Sequence, residues 1–549
     1  MAHSKRVSAD PAPSIDWSDA DEIITPDFAK GRRAGDGATT ATAREKLRSM
    51  EDLTALADRC HASGKKVVLA HGVFDLFHLG HVRHLESAAR EGDVLVVSVT
   101  PDRFVNKGPG RPVFSARLRG EMLAALECVG AVGISEAPGA DEMIRAVRPD
   151  VYVKGPDYKD QDSDITGKIN AERAAVEQYG GRISFTDDMV LSSSQLINDH
   201  FSLLDPEVQS YLNGLRVGGA LPRVMKAIES VADMKVLFVG DAIIDEYQYA
   251  HAMGKSAKEN IIASRSVGSE IFAGGIVAAA NHAADFCAEV EIITGLGRQD
   301  SYEQLIRDSL RDNVKANFVY RNGMPTTRKC RFIDPAHLRK LFEIYYFDDR
   351  PLGGPLEQQF CNLIREKAPD FDVVVVADFG HGLITRKSID ALTETANFLA
   401  VNAQSNSANL GYNMITKYAK ADYVCIDAPE ARMASGDRFG ELGDIVQYRL
   451  SRSVKSDRFV VTDGERGCVA FSSERGWSRI PAFTQQVVDT VGAGDAFLSI
   501  TAPIAANGID MDLIGLIGNA VGAMKVGTVG HRQSVEKIPL MKYITALLH

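Results

Sequence analysis

Short, uninterrupted apolar runs that alternate with helical stretches set the architecture before any single residue does. Residues 66–70 (KVVLA), 94–99 (VLVVSV) and 151–154 read as strands, with helical patterns over 50–61, 82–90 and 118–126 around them. A strand that is apolar at every position is buried on both faces, and helices between such strands give a parallel α/β sheet. A second series opens at residues 236–240 (VLFVG) and continues through 291–294, 373–377, 423–426 and 459–462. At 549 residues the chain exceeds the roughly 250–300 that one hydrophobic core sustains, so two α/β domains are expected.

Composition places the boundaries and narrows the partners. Residues 1–45, rich in Ala, Asp, Ser, Gly, Thr and Pro, read as a disordered tail. Residues 46–202 form the first domain, closing with a helix near 194–201, and 233–549 the second. Between them, 203–232 holds PEVQSYLNGL and PRVMKAIESV on either side of Gly218-Gly219 and reads as a helical connector. With 62 Lys+Arg against 73 Asp+Glu, the net charge of -11 gives no general basic footprint for nucleic acid. Seven scattered cysteines with no C-x-x-C pair fit reduced thiols. The first ten residues lack a signal-peptide core, and no apolar run nears the ~20 residues of a membrane span. The expectation is a soluble, cytoplasmic chain with neither membrane nor nucleic acid as partner.

The first strand runs into HGVFDLFHLGHVRHL, where His78 and His81 flank Leu79-Gly80 at an expected helix start. A helix N-terminus offers unpaired N–H donors and the positive end of the dipole, which suits a phosphate. Imidazoles there can hydrogen-bond phosphoryl oxygens as charge builds on them, and Gly80 lets a nucleotide approach the backbone. His71 and His84 gain no such role, and Asp75 is expected to orient the turn. The frame G-x-F-D-x-x-H-x-G-H from Gly72, with Lys107-Gly108, Arg111-Pro112-Val113, Arg119, Val153-Lys154-Gly155 and Leu191 to Ser194, resembles the cytidylyltransferase-like nucleotidyltransferases. Within them it is most similar to the adenylyltransferase half of the bifunctional ADP-heptose synthesis enzymes. That resemblance implies a Rossmann-like domain in which His78 and His81 contact the donor's α- and β-phosphates. Lys107 and Lys154 would neutralise charge as a sugar 1-phosphate attacks and pyrophosphate leaves. Gly72, Phe74, Gly80 and Arg111 would line the nucleotide, and Ser192, Ser193 and Ser194 would donate from the last helix. The donor is ATP or CTP, its phosphates carrying most of the Mg²⁺.

The second domain contains VVDTVGAGDAF. Gly492, Ala493 and Gly494 precede a helix, so their amides can line an anion hole. Asp495, at the start of that helix, can take a proton from a substrate hydroxyl that attacks a γ-phosphate. This motif resembles that of the ribokinase-like (PfkB) carbohydrate kinases. Asp241 and Asp245 match the family's opening strand, with Asp245 implied to contact sugar hydroxyls. Gly274, Gly275 and Asn281 resemble the sugar-side glycine motif, the glycines exposing N–H and Asn281 a bidentate amide. Thr462, Gly464 and Gly467 resemble the nucleotide-side loop. Asp427 and Glu430 stand where the family's N-x-x-E organises Mg²⁺. The implied fold is an α/β sandwich with a small β-lid over 249–270, through which such kinases pair as homo-oligomers.

Three departures accompany the match. Relatives carry a lysine where Asn402-Ala403-Gln404 stands, Glu343 and Tyr345-Tyr346 replace a more basic stretch, and the transferase precedes the kinase rather than following it. The sequence therefore points to a bifunctional sugar-activating enzyme acting on sugar phosphate and nucleotide substrates with ATP and Mg²⁺. The alternative is an active transferase with a weak or silent kinase domain that serves ligand sensing or assembly.

Overall fold

A computed structural model describes residues 43–105, 111–155, 168–186, 204–336, 338–484 and 487–548. Residues 1–42 of the expected tail, Lys107, Ser192 to Ser194 and the closing helix of the first domain lie outside these described residues, while Ala43–Lys46 is helical.

Strands β1 (Val67–Gly72), β2 (Val94–Val99), β3 (Ala131–Ile134), β4 (Val151–Lys154) and β5 (Arg182–Phe185) make one sheet in the order β3-β2-β1-β4-β5. Every pairing in it is parallel. Alternate residues of β1 feed opposite cores, as a strand's two-residue period requires. Val68 and Ala70 meet Leu85 and Leu123 from the helices Leu79–Ala89 and Ala116–Ala124. Val67 and Leu69 meet Leu53 and Ile144 from Met50–Ala62 and Asp141–Val147. Helices on both faces explain why the strands read as solid apolar runs.

The second sheet is built on the same rule. Its strands are β6 (Lys235–Gly240), β9 (Glu289–Gln299), β10 (Val314–Pro325), β13 (Val373–Asp378), β14 (Leu399–Ala403), β15 (Tyr423–Asp427), β16 (Arg458–Thr462), β17 (Cys468–Ser472) and β18 (Gly476–Ile480). They run in the order β10-β9-β6-β13-β14-β15-β16-β17-β18, with only the last two joining antiparallel. Val373 and Val375 of β13 enter one core, Val374 and Val376 the other. The carboxyl ends of β6, β13, β14, β15 and β16 bring Asp241, Asp378, Gln404, Asp427 and Thr462 to one edge, where α/β sheets bind ligands.

Two expectations change. The helices Pro206–Val217 and Ala220–Glu229 exist, yet they are no connector. Val208, Leu212, Val224 and Ile228 are buried in the same core as Val373 and Ile544, and Arg216 donates to the Leu547 carbonyl at 2.8 Å. Their apolar stripes need a partner, and the C-terminal helix Lys537–Leu548 supplies it. The lid is also larger than one hairpin. Strands β7 (Ala242–Lys255), β8 (Ile262–Gly275), β11 (Thr327–Asp334) and β12 (Arg339–Tyr346) form a four-stranded sheet in the order β12-β11-β7-β8. Among the described residues no helix is long and apolar enough to cross a membrane.

Candidate functional sites

The first site begins where β1 ends. Phe74 and Leu76 adopt positive φ (50° and 47°), bending the chain sharply before the helix Leu79–Ala89. Asp75 fixes this bend by accepting from the Val113 N–H at 2.9 Å and the Phe114 N–H at 3.2 Å. Arg119, fully buried, donates to the Val73, Thr100 and Phe114 carbonyls and ties the same loop from beneath. The helix is capped by histidines. His78 Nδ1 accepts from the Gly80 N–H at 3.0 Å, and His81 Nδ1 accepts from the His78 N–H at 3.4 Å. The rings stack with centroids 4.0 Å apart, and Phe74 meets His81 edge-on at 5.5 Å. A ring nitrogen that accepts carries no hydrogen, so each neutral imidazole holds its proton on Nε2. The cap thus selects the tautomer that leaves Nε2 as the donor.

The rest of this site is less direct. Gly72 lies against the Phe74 ring, which an added Cβ would meet at 3.1 Å. Burial lowers the Arg111 guanidinium against a smaller opposing pull from Asp75. Lys154 does not present an uncompensated charge. Its ammonium pairs with the buried Glu172 carboxylate at 2.6 Å, because a cation with so little exposure needs a counter-ion. His84 and His71 hydrogen-bond Thr186 and Ser98 respectively, both at 2.9 Å.

The second site assembles from the sheet edge, the lid and the helix Ala493–Ala506. Gly492, at φ 76°, is the N-cap, so Ala493 and Gly494 open the helix rather than precede it. Their first-turn amides still lack intrahelical acceptors. A Cβ on Gly494 would meet nothing within 4 Å, which leaves room for a ligand against the backbone. Asp495 is buried in the first turn, and burial pushes its carboxyl up to about 6, with His531, Lys329 and Lys525 pulling the other way. The Gln404 amide approaches it at 3.4 Å.

Asp245 sits on the inner face of the lid. One oxygen takes the Arg331 guanidinium, which also reaches Glu343 at 3.2 Å; the other faces His531 Nε2 at 3.2 Å. Burial alone would raise this carboxyl, but His531 and Arg331 together hold it well below the usual carboxylate range. Gly274 is glycine because a Cβ would fall 2.0 Å from Asp245 Oδ2, and Gly275 (φ 57°) because one would fall 2.6 Å from the Asp241 carbonyl. Close packing thus requires glycine at both positions. Asn281 lines a cavity with Ala273 and His531, and its amide donates to Ser309 O at 2.7 Å and accepts from Arg311 N–H at 3.1 Å.

On the nucleotide side, Asp427 and Glu430 form a reciprocal capping box at the helix Ala428–Ser435. Glu430 also accepts from the Ser405 N–H at 3.0 Å. Burial pushes both carboxyls up, and the charge of Asp427 adds to the rise at Glu430. Thr462 pairs in register with Asp427 across β15 and β16, and Gly464 and Gly467 carry φ of 57° and 84° in the turn beyond. Asp378 holds its own loop, accepting from Tyr418 Oη at 2.7 Å and Asn413 Nδ2 at 3.1 Å.

Sequence reasoning missed Arg331, Lys329 and His531. The first two lie in TRKCR, where alternate residues of β11 share the inner face; His531 directly follows NAVGAMKVGTVG, a resembling stretch that stops one residue short of it.

Comparison with known proteins bears on both sites. The family model described as Cytidylyltransferase-like matches residues 69–199. Curated relatives include Bifunctional protein HldE of Desulfatibacillum aliphaticivorans, 38% identical over 157 residues, covering 28% of this chain and 31% of that protein. Another is Bifunctional protein HldE of Syntrophotalea carbinolica, 39% identical over 144 residues, covering 26% and 28%. The chain thus spans about a third of the length of these relatives. Similar solved structures include a putative ribokinase from Agrobacterium tumefaciens, with TM-score 0.46, 15% identity and coverage of 57% of this chain and 98% of that one. Arabidopsis thaliana ribokinase complexed with ribose and ATP gives TM-score 0.44, 17% identity and coverage of 58% and 99%. The second family model spans residues 233–538, over half of the chain, from the strand that carries Asp241 past the helix that carries Asp495. Over that span the protein belongs to the pfkB family of carbohydrate kinases.

Proposed function

We propose that the chain activates a sugar in two reactions, one per domain. In the kinase domain, Asp495 takes the proton of the anomeric hydroxyl of a heptose 7-phosphate-like sugar. The hydroxyl oxygen bonds to the γ-phosphorus of ATP, the β–γ bridging bond breaks, and ADP leaves with its electron pair. The proton on Asp495 then passes to solvent. The observation that carries this reading is the buried Asp495 at the start of a helix where a Cβ on Gly494 would meet nothing within 4 Å, beside an Asp245 held ionised to orient hydroxyls.

Mg²⁺ fits the nucleotide side. Among the described residues no group of three or more His, Cys, Asp or Glu could hold a metal alone. Asp427 and Glu430, both pushed up by burial, would be relieved by a cation that arrives on ATP phosphates. The ion would shield the charge of those phosphates.

In the transferase domain, an oxygen of a sugar 1-phosphate attacks the α-phosphorus of ATP or CTP and pyrophosphate departs. His78 and His81 donate from Nε2 to the phosphates. An ADP-heptose-like product follows from the resemblance to the bifunctional enzymes. A screen of sugars and sugar 1-phosphates crossed with ATP and CTP, scored by product mass, tests the whole proposal. ATP-dependent gain of a phosphate and NTP-dependent gain of a nucleotidyl group are expected. Absence of both from every pairing would overturn it. The silent-kinase reading draws on Gln404 standing where a lysine is expected, and sugar kinase turnover that Asp495→Asn abolishes would exclude it.

A further inference from the structure

His531 follows the helix Met511–Lys525 and sits at the centre of the kinase site, with a side chain 6% exposed. Its Nε2 lies 3.2 Å from Asp245 Oδ2. Asp245 is ionised, so Nε2 must carry a hydrogen in that contact. The other edge of the ring has no such partner. Nδ1 is buried and makes no hydrogen bond among the described residues. A Cβ on Gly492 would stand 2.6 Å from His531 Cε1 and 3.2 Å from Nδ1, whereas one on Gly274 would stand 3.0 Å from Nε2. The imidazole is therefore wedged between the sugar-side glycine and the first residue of the anion hole, its unpaired edge toward the latter. A buried ring nitrogen without a partner is rare in a folded interior and marks a contact completed by something else.

Neighbouring cations already have contacts within the protein, with Lys329 and Lys525 close enough to Asp495 to pull its carboxyl down. The Lys525 ammonium donates to the Gly530 carbonyl, Arg331 is taken by Asp245 and Glu343, and the Lys329 ammonium lies 5.4 Å from the centre of the Tyr345 ring. Gln404, nearest to Asp495, brings no charge.

Resting on the kinase reading above, we propose that His531 donates a hydrogen bond from Nδ1 to the phosphoryl group in transfer, with Asp245 holding the ring. Once that group is seated, the ring lies between two anions, Asp245 on its Nε2 edge and the phosphoryl oxygens on its Nδ1 edge. The site thereby gains a further donor at the anion hole, where Gln404 brings no charge, and Asp245 serves two ends, orienting the sugar and the histidine.

The test is calorimetric binding of MgADP to the full chain with and without fluoroaluminate, a mimic of the phosphoryl group in flight. In the wild type fluoroaluminate should tighten MgADP by about a hundredfold. His531→Gln, which keeps a donor toward Asp245, should lose about tenfold or more of that gain while MgADP alone stays within about twofold. His531→Asn, whose amide nitrogen falls near the Nδ1 position, should recover part of it. A gain that survives in His531→Gln overturns the role of His531 and leaves the kinase reading standing. Equal weakening of MgADP with and without fluoroaluminate overturns it too, in favour of a packing role. No gain in the wild type would remove the kinase reading itself.

Discussion

At the scale of the residue, Asp495 couples chemistry to stability through one carboxyl. Unfolded, it titrates near the ordinary ~3.9; folded, burial pushes it up to about 6. The kinase kcat/KM should therefore rise with pH through about 6, as the base ionises. The folded chain holds this proton more tightly than the unfolded one, so the contribution to stability is complete below about pH 4. It is lost as pH rises through about 6. Asp495→Asn should lower kcat by on the order of 10²–10⁴ and still raise Tm at pH 8, by up to roughly 3 kcal/mol of stability, with no difference near pH 4. Thermal melts at both values check this. His78→Asn separates cap from chemistry in the other domain: asparagine caps a helix well, yet has no Nε2. Pyrophosphate release should fall about 10²–10³-fold with Tm little changed, measured on the full chain. Asp495, His78 and His81 were legible because each stands in a dense local motif. Arg331 and His531 were not, because their meaning comes from Asp245, to which the fold brings them across 86 and 286 positions of chain.

At the scale of the element, strands that are apolar throughout were readable, since helices cover both faces of each sheet. The outer half of the lid was not. In β11 the inward residues Lys329 and Arg331 are charged, and in β12 the outward Phe342, Ile344 and Tyr346 are apolar, so hydrophobic alternation points the wrong way. The helix Ala428–Ser435 offers a test of the metal side. Glu430→Gln preserves the capping geometry, since glutamine can close the same box, but removes the charge. The Mg²⁺ concentration for half-maximal kinase rate should rise by about tenfold or more with the melting temperature held or raised. A titration of rate against free Mg²⁺ at fixed ATP measures it.

At the scale of the whole molecule, lid register places Ile271, Phe332, Phe342, Ile344 and Tyr346 on one outer face, opposite Asp245, Lys329 and Arg331. Ile271, Phe342, Ile344 and Tyr346 are each more than 40% exposed. An exposed apolar strip of this kind is suited to contact, and a second copy of the lid has the matching character. We expect a homo-oligomer that Phe342→Asp with Ile344→Asp converts to monomer, read by light scattering after size-exclusion chromatography. The paired helices Pro206–Val217 and Ala220–Glu229 bear on how this polypeptide can be divided. A kinase gene trimmed to the family boundary at residue 233 would strip Val208, Leu212, Val224 and Ile228 away, baring the greasy flank of the C-terminal helix. A clone begun at residue 204 would keep that flank sheathed. Anyone separating the two domains with scissors should cut upstream of the helices, not after them.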